Sequence, residues 1–187
     1  MNERKCNFMC RLAWLALAAL ALAACTPTYN WREMPVADGA LRVAFPGKPD
    51  TQTRELPLGE HPMTFQLTAA EAGGAVYAVG HGRMPAGMAP DQRAALREAL
   101  EQSLSANLQA ARTERRTAVV RHAAGAARPG LTVDEIEIQG EAGEQAVWLL
   151  AQVFVLGDRL VEVAAIGPQA KLSRETARTF LDSLRLQ

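Results

Sequence analysis

Ala146-Val147-Trp148-Leu149-Leu150-Ala151-Gln152-Val153-Phe154-Val155-Leu156, then Gly157-Asp158, then Leu160-Val161-Glu162-Val163-Ala164-Ala165-Ile166, is the stretch that decides the fold class. The first run is apolar almost throughout, which reads as a central strand covered on both faces. Gly157 and Asp158 tolerate positive φ and close a two-residue hairpin into the second run. A sheet buried on both faces calls for helices packed against it.

Working outward, the C-terminal segment places Ala177, Phe180, Leu181 and Leu184 at i, i+3, i+4 and i+7, the stripe of a helix facing a core. Upstream, Leu131–Gln139 reads as a strand in which Leu131 and Val133 are out of phase with Ile136 and Ile138, so a bulge is expected near Asp134-Glu135. Thr117–Ala123 reads as another strand. From Pro90 to about Arg112 the period is helical, with Leu96, Leu100, Leu104 and Leu108 on one face. Before it, Met63–Glu71 and Ala75–His81 flank Ala72-Gly73-Gly74, and residues 51–56 form a further extended stretch. Asp38-Gly39 turns a strand ending at Val36 into Leu41–Phe45, which Pro46-Gly47-Lys48-Pro49 stops. The order of four strands, a helix, four strands and a helix predicts an α+β fold: a mostly antiparallel sheet of about six to eight strands packed by two helices. One such domain is expected over residues 31–187.

The chain's 187 residues are 49% hydrophobic and 21% charged, which excludes disorder, collagen and a disulfide-dense scaffold. Twenty basic and 20 acidic side chains exclude the cationic excess that nucleic acid requires. The N-terminus carries an address. Arg4, Lys5 and Arg11 precede an apolar run from Leu12 to Ala24, too short for a permanent membrane span, so residues 1–24 read as a secretory signal peptide. The run ends Leu22-Ala23-Ala24-Cys25, which resembles the lipobox of bacterial lipoproteins. That resemblance implies diacylglyceryl transfer to the Cys25 sulfur, cleavage before it, and acylation of the new amine. Residues 25–30 then form a lipidated tether, and the partner it implies is membrane lipid, held through the acyl chains. Residue 26 is Thr rather than the Asp that resembles an inner-membrane retention signal, so the expected location is the periplasmic leaflet of the outer membrane. Cys6 and Cys10 leave with the signal peptide, so the mature chain has no cysteine pair for a disulfide or metal site.

Tyr29-Asn30-Trp31-Arg32-Glu33, the Asp38-Gly39 turn, Phe45-Pro46-Gly47-Lys48-Pro49 and Phe180-Leu181-Asp182-Ser183-Leu184 resemble a family of small, uncharacterised proteobacterial lipoproteins. The layout is also similar to the PsbP-like and DcrB-like α/β sandwich domains. The resemblance implies a PsbP-like sandwich fold and carries over no active residue.

Chemistry is sparse. Gly80-His81-Gly82-Arg83-Met84-Pro85 begins like a dinucleotide fingerprint but has Pro85 where the third glycine belongs. The four serines, Ser103, Ser105, Ser173 and Ser183, all fall in expected helices without a neighbouring histidine. His61, His81 and His122 lack metal-ligand spacing. Glu135 and Glu137 share a strand face, which suggests paired-carboxylate chemistry, although a solvated face is the reading favoured here. Residues 112–128 hold Arg112, Arg115, Arg116, Arg121 and Arg128 against Glu114, a net of +4; residues 134–144 hold Asp134, Glu135, Glu137, Glu141 and Glu144, a net of −5. Opposite charges on neighbouring strands pair across a sheet, the reading preferred over a basic face docking on anionic lipid or polymer. Trp31, Tyr77, Trp148 and Phe154 are expected in the core. No catalytic residue, cofactor or metal is assigned. The expected function is a non-enzymatic binding or accessory module of the cell envelope, meeting an unidentified envelope protein or polymer and no nucleic acid. The alternatives are a small-ligand binder with a pocket between sheet and helix, and a hydrolase whose site assembles only in the fold.

Overall fold

The computed structural model describes residues 28–58, 61–123 and 128–187. The expected signal peptide, residues 1–24, and the expected lipobox of Leu22, Ala23, Ala24 and Cys25 lie outside the described residues. In chain order the elements are β1 (Arg32–Val36), β2 (Leu41–Phe45), β3 (Asp50–Leu58), β4 (His61–Ala72), β5 (Ala75–Arg83), α1 (Pro90–Asn107), β6 (Arg112–His122), β7 (Leu131–Ala142), β8 (Gln145–Leu156), β9 (Arg159–Pro168), α2 (Arg174–Leu181) and β10 (Arg185–Leu186).

This corrects the expected α+β arrangement of six to eight antiparallel strands. Strand accounts for 56% of the described residues, so the sheet rather than its two short helices sets the architecture. Among the described residues ten strands form one curled, mixed half-barrel in the order β1-β2-β10-β6-β7-β8-β9-β5-β4-β3. Every pairing is antiparallel except β10 with β6, and that parallel contact joins the β1-β2-β10 group to the rest. Two residues, Arg185 and Leu186, make this join, and a two-residue strand has no periodicity to read. The polar strands were also underestimated: β6 begins at Arg112 rather than Thr117, because an exposed strand shows no apolar alternation.

Tight turns follow the glycines. Ala72 pairs with Ala75 across Gly73-Gly74, and Leu156 with Arg159 across Gly157-Asp158, with φ of +61° at both Gly73 and Gly157. On β5, Gly80 and Gly82 serve close approach: a Cβ on Gly82 would lie 2.8 Å from the Phe65 ring and 2.7 Å from the Thr64 carbonyl.

Both faces of the central strands are buried. On one face Leu96, Leu100 and Leu108 of α1 and its following turn join Ile136, Ile138, Leu149 and Phe65. On the other, Phe180, Leu181 and Leu184 from α2 and its exit pack with Phe45, Tyr77, Trp148 and Val161. Phe180 sits 5.5 Å from the Phe45 ring and 5.4 Å from that of Tyr77. Tyr77, Trp148 and Phe154 are buried in this core and Trp31 packs against it.

The bulge expected near Asp134-Glu135 is absent. The register of β7 with both β6 and β8 is continuous through these residues. The apolar phase breaks for a different reason: Glu135 and Glu137 occupy the inward positions that continue from Val133 on the α2 face, while Ile136 and Ile138 point to α1.

Candidate functional site

The reading of Glu135 and Glu137 as a solvated face is corrected: the two residues are only 1% and 3% exposed. A bare carboxylate in such a position would be strongly destabilising, so it demands donors. Arg116 of β6 supplies Nε to Glu135 at 3.0 Å and Nη2 to Glu137 at 2.9 Å. From α2, Arg178 Nη2 donates to Glu135 at 2.9 Å and Arg174 Nη1 to Glu137 at 2.5 Å. The Gln152 amide of β8 donates to Glu135 at 3.1 Å. Burial alone would raise the Glu137 carboxyl, but the hydrogen bonds and charge of Arg174, aided by Gln139 and Arg116, hold it below its ordinary value. Arg174 also lies 5.3 Å over the Trp148 ring.

A second clamp sits on the opposite face. Glu101 of α1, 2% exposed, accepts from Arg97 Nη1 at 2.6 Å and pairs with Arg115 Nη2 of β6 at 2.8 Å. Arg97 also pairs with Asp134. The strands that carry the arginine-rich and glutamate-rich segments are neighbours, but among the described ion pairs only Arg116 joins one segment to the other, Arg115 turning to Glu101 and Arg112 to Glu114 of its own strand; both clamps lean on β6. Such geometry immobilises carboxylates and leaves the outer N–H groups of the arginines facing water. Arg112 and Arg115 remain 65% and 60% exposed.

The remaining sequence candidates do not converge. His81 is buried on β5, with Nε2 2.9 Å from Gln66 Oε1, and burial pulls its pKa down against the raising effect of Asp38. Asp38, held below its ordinary pKa chiefly by the hydrogen bond from Arg159, links the β1–β2 turn to Arg159 at 3.1 Å and Arg83 at 3.4 Å. His122 is half-buried at the end of β6, and His61 opens β4. Among the described residues no group of three His, Cys, Asp or Glu side chains is placed to hold a metal. Ser173 caps α2 by accepting from the Thr176 N–H, Ser183 Oγ donates to the Phe180 carbonyl, and Ser105 Oγ donates to the Glu101 carbonyl. No described helix is long and apolar enough to cross a membrane.

Two further features stand beside the clamps. A cleft of about 410 Å³ opens between the N-terminal half of α1 and the β7 and β8 ends, lined by Arg93, Arg97, Asp134 and Val153 among others. The start of the described chain is also docked: Tyr29 stacks on Trp31 at 6.0 Å, Trp31 meets Tyr77 edge-on at 6.3 Å, and the Asn30 N–H donates to the Pro46 carbonyl at 2.8 Å. The Tyr29 hydroxyl lies against Gly73, where no side chain intervenes. The signal for the clamp at Glu135 and Glu137 was present in the sequence as the broken apolar phase of residues 131–138. A comparison with protein families finds no match for this chain, and a comparison with curated proteins finds none either.

Proposed function

We propose that the protein is a lipoprotein of the outer membrane, held in its periplasmic leaflet by acyl chains on Cys25 and acting as a non-enzymatic binding or accessory module of the cell envelope. One observation carries the reading. Tyr29 and Trp31 are packed into the body, so Thr28, the first described residue, lies three residues from Cys25, a contour of about 10 Å. An anchor there holds the domain close to the bilayer on a short leash. The non-enzymatic part is supported by the buried carboxylates, which are committed to arginines. The mature chain carries two or three acyl chains on this reading, enough for stable anchoring where one would be marginal.

The test is processing. Cys25→Ser removes the sulfur that accepts the lipid, so the protein should persist as a precursor about 24 residues longer, retained in the inner membrane. Thr26→Asp should keep lipidation but shift the protein toward the inner membrane. Gel mobility and density fractionation of the envelope read both outcomes. Maturation of Cys25→Ser to normal size with continued outer-membrane flotation would sink the reading. A second reading, a small-ligand site, is supported by the cleft beside Arg93 and Arg97, whose size suits a small molecule.

A further inference from the structure

We propose that the outer edge of β6 is a docking strand that takes an extended acidic segment of a partner protein by strand addition. The proposal rests on the reading of this protein as a binding module, not on its lipid anchor.

The backbone makes the first half of the case. Over Arg112–Val120, β6 pairs with β7 on one side, while among the described residues no strand pairs with its other side. β10 reaches only Arg121 and His122. Alternate residues of an antiparallel strand turn their N–H and C=O groups away from the partner, so about half of this stretch presents open ladder groups in the middle of a sheet, where β10 would otherwise continue. Open edges are normally kept short or interrupted. β1 has five residues and β3 carries Pro57, but β6 has neither device. Val119, the one exposed large hydrophobic among the described residues, lies on this same edge.

Charge makes the second half. The acids that neutralise this region, Glu101, Glu135 and Glu137, are buried, whereas the guanidinium groups above them are partly in water. Arg116 stands on the α2 face of this strand and Arg115 on its α1 face, while Arg174 and Arg178 reach the same β7 carboxylates from α2. An incoming strand sends alternate side chains to the two faces, so acidic residues on either face would meet guanidinium N–H groups. β6 itself bears Arg112, Arg115, Arg116 and Arg121 against Glu114, a net of +3, so two copies of this edge repel and a second copy of the chain is disfavoured. Main-chain bonds would supply affinity and the arginines selectivity.

The probe is a fluorescent peptide of alternating threonine and glutamate long enough to span Arg112–Val120, titrated into the full chain in detergent and followed by anisotropy. It should bind, and a version N-methylated at the alternate residues whose N–H groups face β6 should bind at least about tenfold more weakly, because several ladder hydrogen bonds are lost. A lysine-for-glutamate peptide should not bind. Arg112→Glu combined with Arg121→Glu leaves both carboxylate clamps intact and should weaken binding by a similar factor. Equal binding of the methylated peptide, no binding of the acidic peptide, or disulfide crosslinking of Val119→Cys between two copies would each overturn the proposal. Cys25→Ser should leave peptide binding unchanged, so a failed anchor and a failed docking strand are told apart.

Discussion

Glu137 and Glu162 show how position sets the sign of a carboxylate's contribution. Glu137 has a folded pKa below its ordinary 4.5, so its ionised form stabilises the fold above that pH, and the contribution disappears as pH falls through the folded value. Glu137→Gln should therefore cost about 1–3 kcal/mol at neutral pH. Urea melts should show the gap from the unmodified protein shrinking below pH 4.5; a gap independent of pH would contradict the clamp. Glu162 lies on the α1 face of β9 between Gly80 and Val153, and burial raises its carboxyl from 4.5 to about 7. Here the unfolded chain loses its proton first, so stability falls as pH rises from 4.5 to about 7 and stays reduced above that. Glu162→Gln should then stabilise the protein by about 1–3 kcal/mol at pH 8 and by little at pH 4.5. Equal stability of the two proteins across that range would show that the carboxyl is solvated.

At the scale of elements, α2 is only eight residues long and draws its stability from what it covers. Its inner stripe carries Ala177, Phe180 and Leu181, and its charged side supplies Arg174 and Arg178 to the buried carboxylates. One short helix thus closes the core and completes the clamp. Phe180→Ala should cost about 3–5 kcal/mol, since a fully buried ring between Phe45 and Tyr77 is replaced by a cavity. Denaturant unfolding checks this, and a loss below about 1 kcal/mol would mean the helix does not hold the core. The longer α1 covers β7 and β8 and lends Glu101 to β6, so β6 is braced from both faces of the sheet while its edge stays open.

For the whole molecule, cohesion comes from two apolar layers on either side of one sheet. Beyond Cys25 the sequence contains no cysteine, and its histidines are not spaced as metal ligands. Thermal melts with and without a chelator should therefore coincide, as should melts with and without reductant. A drop of several degrees on chelation would reveal a metal dependence. The docked Tyr29-Asn30-Trp31 segment sits by the Gly73 turn and Pro46, so the chain enters the body at the end of the sheet away from the Gly157-Asp158 turn.

Much was legible in the sequence. Its local patterns determined the β8–β9 and β1–β2 hairpins, the faces of both helices and the core roles of Tyr77, Trp148 and Phe180, because these rest on short-range periodicity and turn chemistry. The resemblance of Leu22-Ala23-Ala24-Cys25 to a lipobox is equally local, carried by four adjacent residues. Only the tertiary structure decided the rest. Ten strands and a parallel join through Arg185-Leu186 depend on pairing between residues far apart in the chain. The burial of Glu135 and Glu137 depends on arginines 19 to 43 positions away, Arg116 for both, Arg174 for Glu137 and Arg178 for Glu135. The broken phase of β7 was visible, but a bulge and an inward-facing ion cluster leave the same trace in a one-dimensional pattern. What separates them is whether donors arrive from other elements, and only the folded chain brings them.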